Sequence, residues 1–226
     1  MYISIILISP FSHFLNFLTP YRFIVIEGNI GAGKSTLANM LANSLNAKKI
    51  MEEFEDNSFL PKFYENKARY AFPLEMSFLA ARFNQLKKHL VEENLFGEPI
   101  ISDYIFAKCL LFSQNTLDDD EYKLYRQMFE IINFQIPQPD LLVYLHSPIE
   151  KLQWNILNRG RVYERKMEDS YLQGLQETYF KYLHSQQNER VLVINCSALD
   201  FVNKPTDYEF LLNSVCRQYP VGITYL

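Results

Sequence analysis

The stretch that decides the fold runs Arg22-Phe23-Ile24-Val25-Ile26-Glu27 and continues Gly28-Asn29-Ile30-Gly31-Ala32-Gly33-Lys34-Ser35-Thr36. The apolar, β-branched run reads as a buried strand. The segment from Gly28 to Ser35 fits G-x-x-x-x-G-K-[ST], and Leu37, Met40, Leu41 and Leu45 then recur at helical spacing, predicting a helix over Lys34–Asn46. A strand, a glycine-rich turn and a helix in that order form a phosphate cradle. Glycine lets backbone N–H groups approach phosphate oxygens, and the helix N-terminus adds partial positive charge. Gly28, Asn29, Ile30, Gly31, Ala32, Gly33, Lys34, Ser35 and Thr36 are therefore the expected ATP-binding residues. Lys34 would reach the β- and γ-phosphates, and the Ser35 hydroxyl would ligate Mg²⁺.

Working outward, short apolar runs alternate with longer helical periods. Strands are expected at Lys48–Met51, Pro99–Ser102, Leu141–Leu145 and Val191–Asn195. Helices are expected at Asn57–Asn66, Leu74–Glu93 with Pro73 in its first turn, Tyr104–Ser113, Asp119–Gln135, Ile149–Asn158 and Asp169–Gln186. With the first strand this predicts an α/β fold: a five-stranded parallel sheet with helices on both faces. Ligands of such sheets bind at the carboxyl ends of the strands. Glu52 and Glu53 fall at one such end and Asp103 at another. An acceptor hydroxyl in phosphoryl transfer needs an oriented carboxylate, and Mg²⁺ needs an acid beside the cradle, so Glu52 or Asp103 is expected to join Ser35 there.

Composition limits the alternatives. The chain has 226 residues, 48% hydrophobic and 21% charged, with 22 basic and 26 acidic side chains and a net charge of −4. That suits a packed domain rather than a disordered chain, and it argues against binding nucleic acid through a basic face. Cys109, Cys196 and Cys216 are scattered, without C-x-x-C spacing, which suits a reducing, cytoplasmic setting. His13, His89, His146 and His184 form no ligand cluster. Met1–Pro20 is uncharged in its first part but lacks the basic start and cleavage site of a signal peptide, and Pro10 and polar residues interrupt it. It is expected to lie outside the catalytic domain of residues 21–226, with no membrane anchoring. No GTPase-type N-K-x-D motif follows the cradle; Asn203-Lys204-Pro205-Thr206 lacks the Asp. A basic turn, Arg159-Gly160-Arg161-Val162-Tyr163-Glu164-Arg165, suits a flap whose guanidinium groups close on phosphates.

The cradle GNIGAGKST, the Glu-Glu before FEDNSFLPKFYENKARYAF, the helix LEMSFLAARF, the strand-end Asp and the turn NRGRVYE together resemble the deoxyribonucleoside kinase family over roughly residues 21 to 200. The resemblance implies a P-loop kinase fold with an arginine lid, and ATP-dependent phosphorylation of a deoxyribonucleoside 5′-hydroxyl. It implies Glu52 as general base, Tyr64 and Glu164 on the sugar 3′-hydroxyl, Arg82 at the base edge, Tyr70 beside the pocket, and Arg159 and Arg161 as lid arginines. A homodimer through the long helices Leu74–Glu93 and Asp119–Gln135 fits the same family. Two positions depart from it. Tyr104 stands where the family carries an arginine, and Lys108, one turn on, is the candidate replacement for its charge. Because the following segment is short, Asp103 reads either as the strand-end acid or as a base-reading Asp. Glu75 stands where the family carries a base-reading Gln; an ionised Glu only accepts, which favours a two-donor edge such as that of guanine. The competing readings are a nucleoside monophosphate kinase and a nucleotide-binding module without kinase activity.

Overall fold

The computed structural model describes residues 19–53, 57–92, 98–161, 164 and 167–226. The expected extension before Thr19, and Val162, Tyr163 and Arg165 of the basic turn, lie outside the described residues. Phe23–Gly28 forms β1, buried along its whole length, and Lys34–Leu45 forms α1. Then come β2 (Lys48–Ile50), α2 (Phe59–Glu65), α3 (Lys67–Leu86) and a π-helical segment (Lys87–Glu92). They are followed by β3 (Ile100–Ser102), α4 (Lys108–Thr116), α5 (Asp119–Asn133), β4 (Leu141–His146) and α6 (Ile149–Arg159). The chain closes with α7 (Asp169–Ser185), β5 (Arg190–Asn195), α8 (Pro205–Val215) and β6 (Gly222–Tyr225).

The strands lie in the order β2-β3-β1-β4-β5-β6, all parallel. The sheet therefore has six strands, not the expected five. The extra one, β6, is an edge strand of sequence Gly222-Ile223-Thr224-Tyr225 that is not fully buried anywhere along its length. So short a half-exposed run leaves no strong hydrophobic signal. Its pairing with β5 (Val191 opposite Ile223) is what makes it a strand.

Alternation along the strands sends side chains to two cores. Ile24 and Ile26 of β1 and Val143 and Leu145 of β4 meet α1, α6 and α8 through Leu41, Leu152 and Leu211. Val25, Leu142 and Tyr144 meet the other layer through Leu79 of α3, Phe129 of α5 and Tyr179 of α7. Each such fully buried aliphatic side chain contributes roughly 1.5–3 kcal/mol.

α3 begins earlier than expected. Asn66 caps it, its side-chain oxygen accepting from the Arg69 N–H at 3.2 Å, and Pro73 sits inside the helix rather than in its first turn. Its buried face is Ala71, Leu74, Glu75, Leu79, Arg82 and Leu86. Two charged residues interrupt an otherwise apolar stripe. Glu75 and Arg82, about two turns apart, point inward with the leucines. α4 begins at Lys108 rather than Tyr104, because Ser102 holds the turn after β3: its hydroxyl donates to the Tyr104 carbonyl at 2.8 Å.

Candidate active site

The cradle occupies the β1–α1 turn at the carboxyl edge of the sheet. Gly31 and Gly33 take positive φ of 81° and 88°. An added Cβ would meet the Leu152 carbonyl at 2.6 Å in the first case and the Phe201 ring at 2.9 Å in the second, so only glycine fits. The loop is tied down from both sides. Asn155 Nδ2 donates to the Gly31 carbonyl at 2.7 Å, and Asn29 Nδ2 donates to the Leu172 carbonyl at 2.8 Å. Lys34 Nζ donates to the Asn29 carbonyl at 2.9 Å. Burial lowers the Lys34 ammonium to about 8, and neighbouring Lys108 adds to the effect against the pull of Glu27, Glu52 and Asp103.

Asp103 joins the cradle to the second strand end. The Ser35 hydroxyl donates to Asp103 Oδ2, and the Glu52 N–H donates to Asp103 Oδ1 at 2.7 Å. Asp103 therefore lies between the cradle serine and the chain just after β2. An oxygen-only pair of hydroxyl and carboxylate suits a hard cation such as Mg²⁺, which takes few protein ligands and keeps water and phosphate oxygens. Among the described residues no cluster of three or more His, Cys, Asp or Glu forms a resident metal cage.

Glu52 is clamped between two cations. Arg82 donates to Oε1 through Nε at 2.9 Å and through a terminal nitrogen at 2.6 Å, while Lys108 Nζ lies 2.5 Å from Oε2. Burial alone would raise the Glu52 carboxyl. Lys108 and Arg82 outweigh it and hold the group well below the ordinary carboxylate range. Lys108 thus brings a cation to the site, whereas Tyr104 is fully buried and donates to Gln85 Oε1 at 2.5 Å. Arg82 also donates to Cys109 Sγ at 3.3 Å.

Glu75 lies on the same face of α3, 4% exposed, and its Oε2 has no hydrogen-bond partner among the described residues. Burial raises its carboxyl to about 7, against the opposing pull of Arg82 and the Thr116 hydroxyl. On the far side, Glu164 is buried and takes Arg159 on Oε2 at 2.5 Å and Arg161 on Oε1 at 3.4 Å. Tyr64 stands on α2, its ring edge-on to Phe63 at 5.5 Å, and Tyr70 lies against the Arg69 guanidinium at 5.4 Å. Thr36 is exposed in the first turn of α1.

Glu27 is the organising residue that sequence reading missed. At 1% exposure it accepts from the Gly28 N–H at 3.1 Å, the Ile105 N–H at 3.0 Å and the Tyr179 hydroxyl at 3.0 Å. It fixes the entry to the cradle and the exit from β3. An acid closing an otherwise apolar strand was its available signal.

Residues 24–219 match the family model described as deoxynucleoside kinase. The chain is 37% identical over 194 residues to the deoxyguanosine kinase of Bacillus subtilis strain 168, covering 83% of this chain and 92% of that one. It is 31% identical over 197 residues to the deoxyadenosine/deoxycytidine kinase of the same strain, covering 85% and 90%. A structure of deoxyadenosine kinase from M. mycoides with bound dATP aligns at a TM-score of 0.73 and 24% identity, covering 85% of this chain and 98% of that one, which is a likeness of fold.

Proposed function

The chain belongs to the deoxynucleoside kinase family, and on that premise we propose that it transfers the γ-phosphoryl group of ATP to the 5′-hydroxyl of a deoxyribonucleoside. Glu52 is the acceptor-side carboxylate. The nucleoside 5′-oxygen attacks the γ-phosphorus, the bond from that phosphorus to the β–γ bridging oxygen breaks, and the 5′-hydroxyl proton passes to Glu52. A carboxylate held ionised by Arg82 and Lys108 is a weak base at rest. It nonetheless accepts a hydrogen bond in fixed geometry, and in a loose transition state the proton moves late, once the attacking oxygen has become acidic.

The observation that carries this reading is Asp103, whose two oxygens bridge the Ser35 hydroxyl of the cradle and the Glu52 backbone. One carboxylate sets the distance between phosphate donor and acceptor base. Ser35 and Asp103 would hold Mg²⁺, which when bound supplies positive charge to the phosphate oxygens; Glu52, already paired twice, is left for the hydroxyl. Arg159 and Arg161 would turn toward the phosphates from their resting partner Glu164, and Tyr64 and Glu164 would face the sugar 3′-hydroxyl. Tyr70 and Arg82 complete the nucleoside side.

We take residues 21–226 as the kinase domain, a reading supported by the family match over residues 24–219. Leu124, Met128, Ile131 and Phe134 leave an exposed apolar stripe along α5 and its C-terminus, which supports a homodimer through that helix. No helix of the described residues is long and apolar enough to cross a membrane, and Cys109, Cys196 and Cys216 are free thiols. On the acidic net charge and the scattered cysteines we infer a cytoplasmic enzyme acting on a small molecule rather than on nucleic acid or membrane. The test is incubation with Mg·ATP and each of the four deoxynucleosides, reading 5′-monophosphate by chromatography. Product that is lost in Glu52→Ala is expected. No product from any of them, with nucleotide binding intact, would overturn the reading.

A further inference from the structure

β2 ends at Ile50, so the peptide group joining Met51 to Glu52 lies beyond the paired residues of the sheet. Side chains hold both of its poles instead. Its N–H donates to Asp103 Oδ1 at 2.7 Å, and its carbonyl accepts from Gln85 Nε2 at 3.0 Å. Gln85 is held in turn by Tyr104, whose hydroxyl donates to Gln85 Oε1 at 2.5 Å. We propose that Gln85 and Tyr104 are positioning residues for Glu52: with Asp103 they fix the peptide plane from which its side chain projects. This rests on the kinase reading above only in taking Glu52 as the acceptor-side carboxylate.

The orientation of the Gln85 amide follows from its neighbours. The Met51 carbonyl only accepts, so the amide nitrogen must face it, and the same nitrogen donates to Glu53 Oε1 at 3.1 Å. The amide oxygen is left for Tyr104, whose hydroxyl then has to donate. Tyr104 is itself fixed. It is fully buried, its carbonyl accepts from the Ser102 hydroxyl at 2.8 Å, and its N–H donates to the same oxygen at 3.3 Å.

Two segments thus each hold Glu52 at two points. On α3, Arg82 takes the carboxylate, and Gln85, three residues on and on the same side of the helix, takes the backbone behind it. After β3, Asp103 takes the peptide N–H directly, and Tyr104, the next residue, acts on the carbonyl through Gln85. The ion pairs to Arg82 and Lys108 restrain only the tip of the side chain. A carboxylate clamped at its tip still shifts when the peptide behind it tilts. The two amide hydrogen bonds remove that freedom, and a misplacement of about 1 Å in a reacting group costs on the order of 100-fold in rate.

The experiment compares the wild type with Tyr104→Phe, Gln85→Met and the double variant by two readouts. In steady-state kinetics, kcat is expected to fall about tenfold in Tyr104→Phe and about 30-fold or more in Gln85→Met. KM for ATP is expected to stay within about twofold, since the hydrogen bonds of neither side chain reach the cradle. The double variant is expected to be no slower than Gln85→Met, because the hydroxyl acts only through the amide. Amide hydrogen exchange is expected to quicken at the Glu52 N–H in each variant, about tenfold or more beyond any change at Val143 of β4, which a general loss of stability would move equally. Unchanged kcat in either single variant overturns the proposal, as do losses that multiply in the double variant. So does exchange at Glu52 that merely follows Val143. A wild type without turnover, with the Glu52 amide freed by both substitutions, overturns the kinase reading alone and upholds the positioning. Exchange needs no turnover, and Tyr104→Phe keeps the buried ring, so a poorly folding Gln85→Met does not blunt the test.

Discussion

Lys108 Nζ lies 2.5 Å from Glu52 Oε2, with the two side chains 6% and 13% exposed. The ammonium comes from the first residue of α4, and Arg82 reaches the other oxygen of the same carboxylate from α3. Two cations from different helices thus fix one acid. Breaking one partner of a buried ion pair costs about 3–5 kcal/mol when it strands the other charge; here Arg82 remains, so the lower end applies. Lys108→Met is expected to lose about 3 kcal/mol of stability in urea unfolding. Its kcat is expected to fall on the order of 100-fold, because the carboxylate is free to rotate. Lys108→Arg is expected to recover most of the stability and part of kcat. Wild-type kcat in Lys108→Met would remove Lys108 from the site.

Lys34 gives the pH dependence of nucleotide capture. Burial lowers its ammonium to about 8, so the charged form that binds phosphate dominates below that pH and is lost above it. kcat/KM reports groups of the free enzyme. The value for ATP is therefore expected to be level between pH 6 and 7.5 and to fall about tenfold per unit above 8. Glu52, held far below the ordinary range, is expected to add no acid limb in that window. A profile level to pH 10 would show that Lys34 carries no such dependence.

The cradle was legible because it is contiguous: its glycines, lysine and serine announce themselves by spacing alone. A helix from Tyr104 would set Lys108 one turn on, but α4 begins only at Lys108, so no helical turn relates the two and it is the turn after β3 that brings the ammonium to Glu52. What escaped depended on partners far apart in the chain. Glu27 looks like an ordinary strand end until Ile105 and Tyr179 close on it. Glu75 and Arg82 could be expected to pair along their own helix, but Glu52 and Cys109 take the guanidinium from across the fold. β6 escaped because an edge strand buries too little to leave an apolar pattern. Pro73 was misplaced because a proline reads as a helix start, whereas the Asn66 cap and the packing of Ala71 and Leu74 carry α3 through it.

Gly31 and Gly33 differ in what they touch, and their substitutions should separate. Both have positive φ, which costs a residue with a Cβ roughly 1–2 kcal/mol. At Gly31 the added carbon would also strike the backbone carbonyl of Leu152, 2.6 Å away in α6, which cannot yield without moving the helix. At Gly33 it would strike only the tip of the Phe201 ring at 2.9 Å. Gly31→Ala is expected to abolish measurable nucleotide binding by calorimetry. Gly33→Ala should weaken it less, and adding Phe201→Ala should recover part. Equal losses in both, with no recovery, would mean that backbone conformation alone governs the loop.

Glu75 also predicts a pH-dependent stability, separate from any substrate. Its carboxyl titrates at about 7 in the fold against 4.5 as reference, because burial disfavours the charged form. The folded state therefore binds the proton more tightly than the unfolded chain. Stability from this group is complete below about pH 4.5 and is lost as pH rises through 7, by about 3 kcal/mol in all. Glu75→Gln keeps the shape and removes the titration. Relative to wild type, without nucleoside, the variant is expected to gain up to about 3 kcal/mol more at pH 8 than at pH 5, read by urea unfolding at each pH. A difference between the proteins that is the same at both pH values would mean that Glu75 remains ionised in the fold.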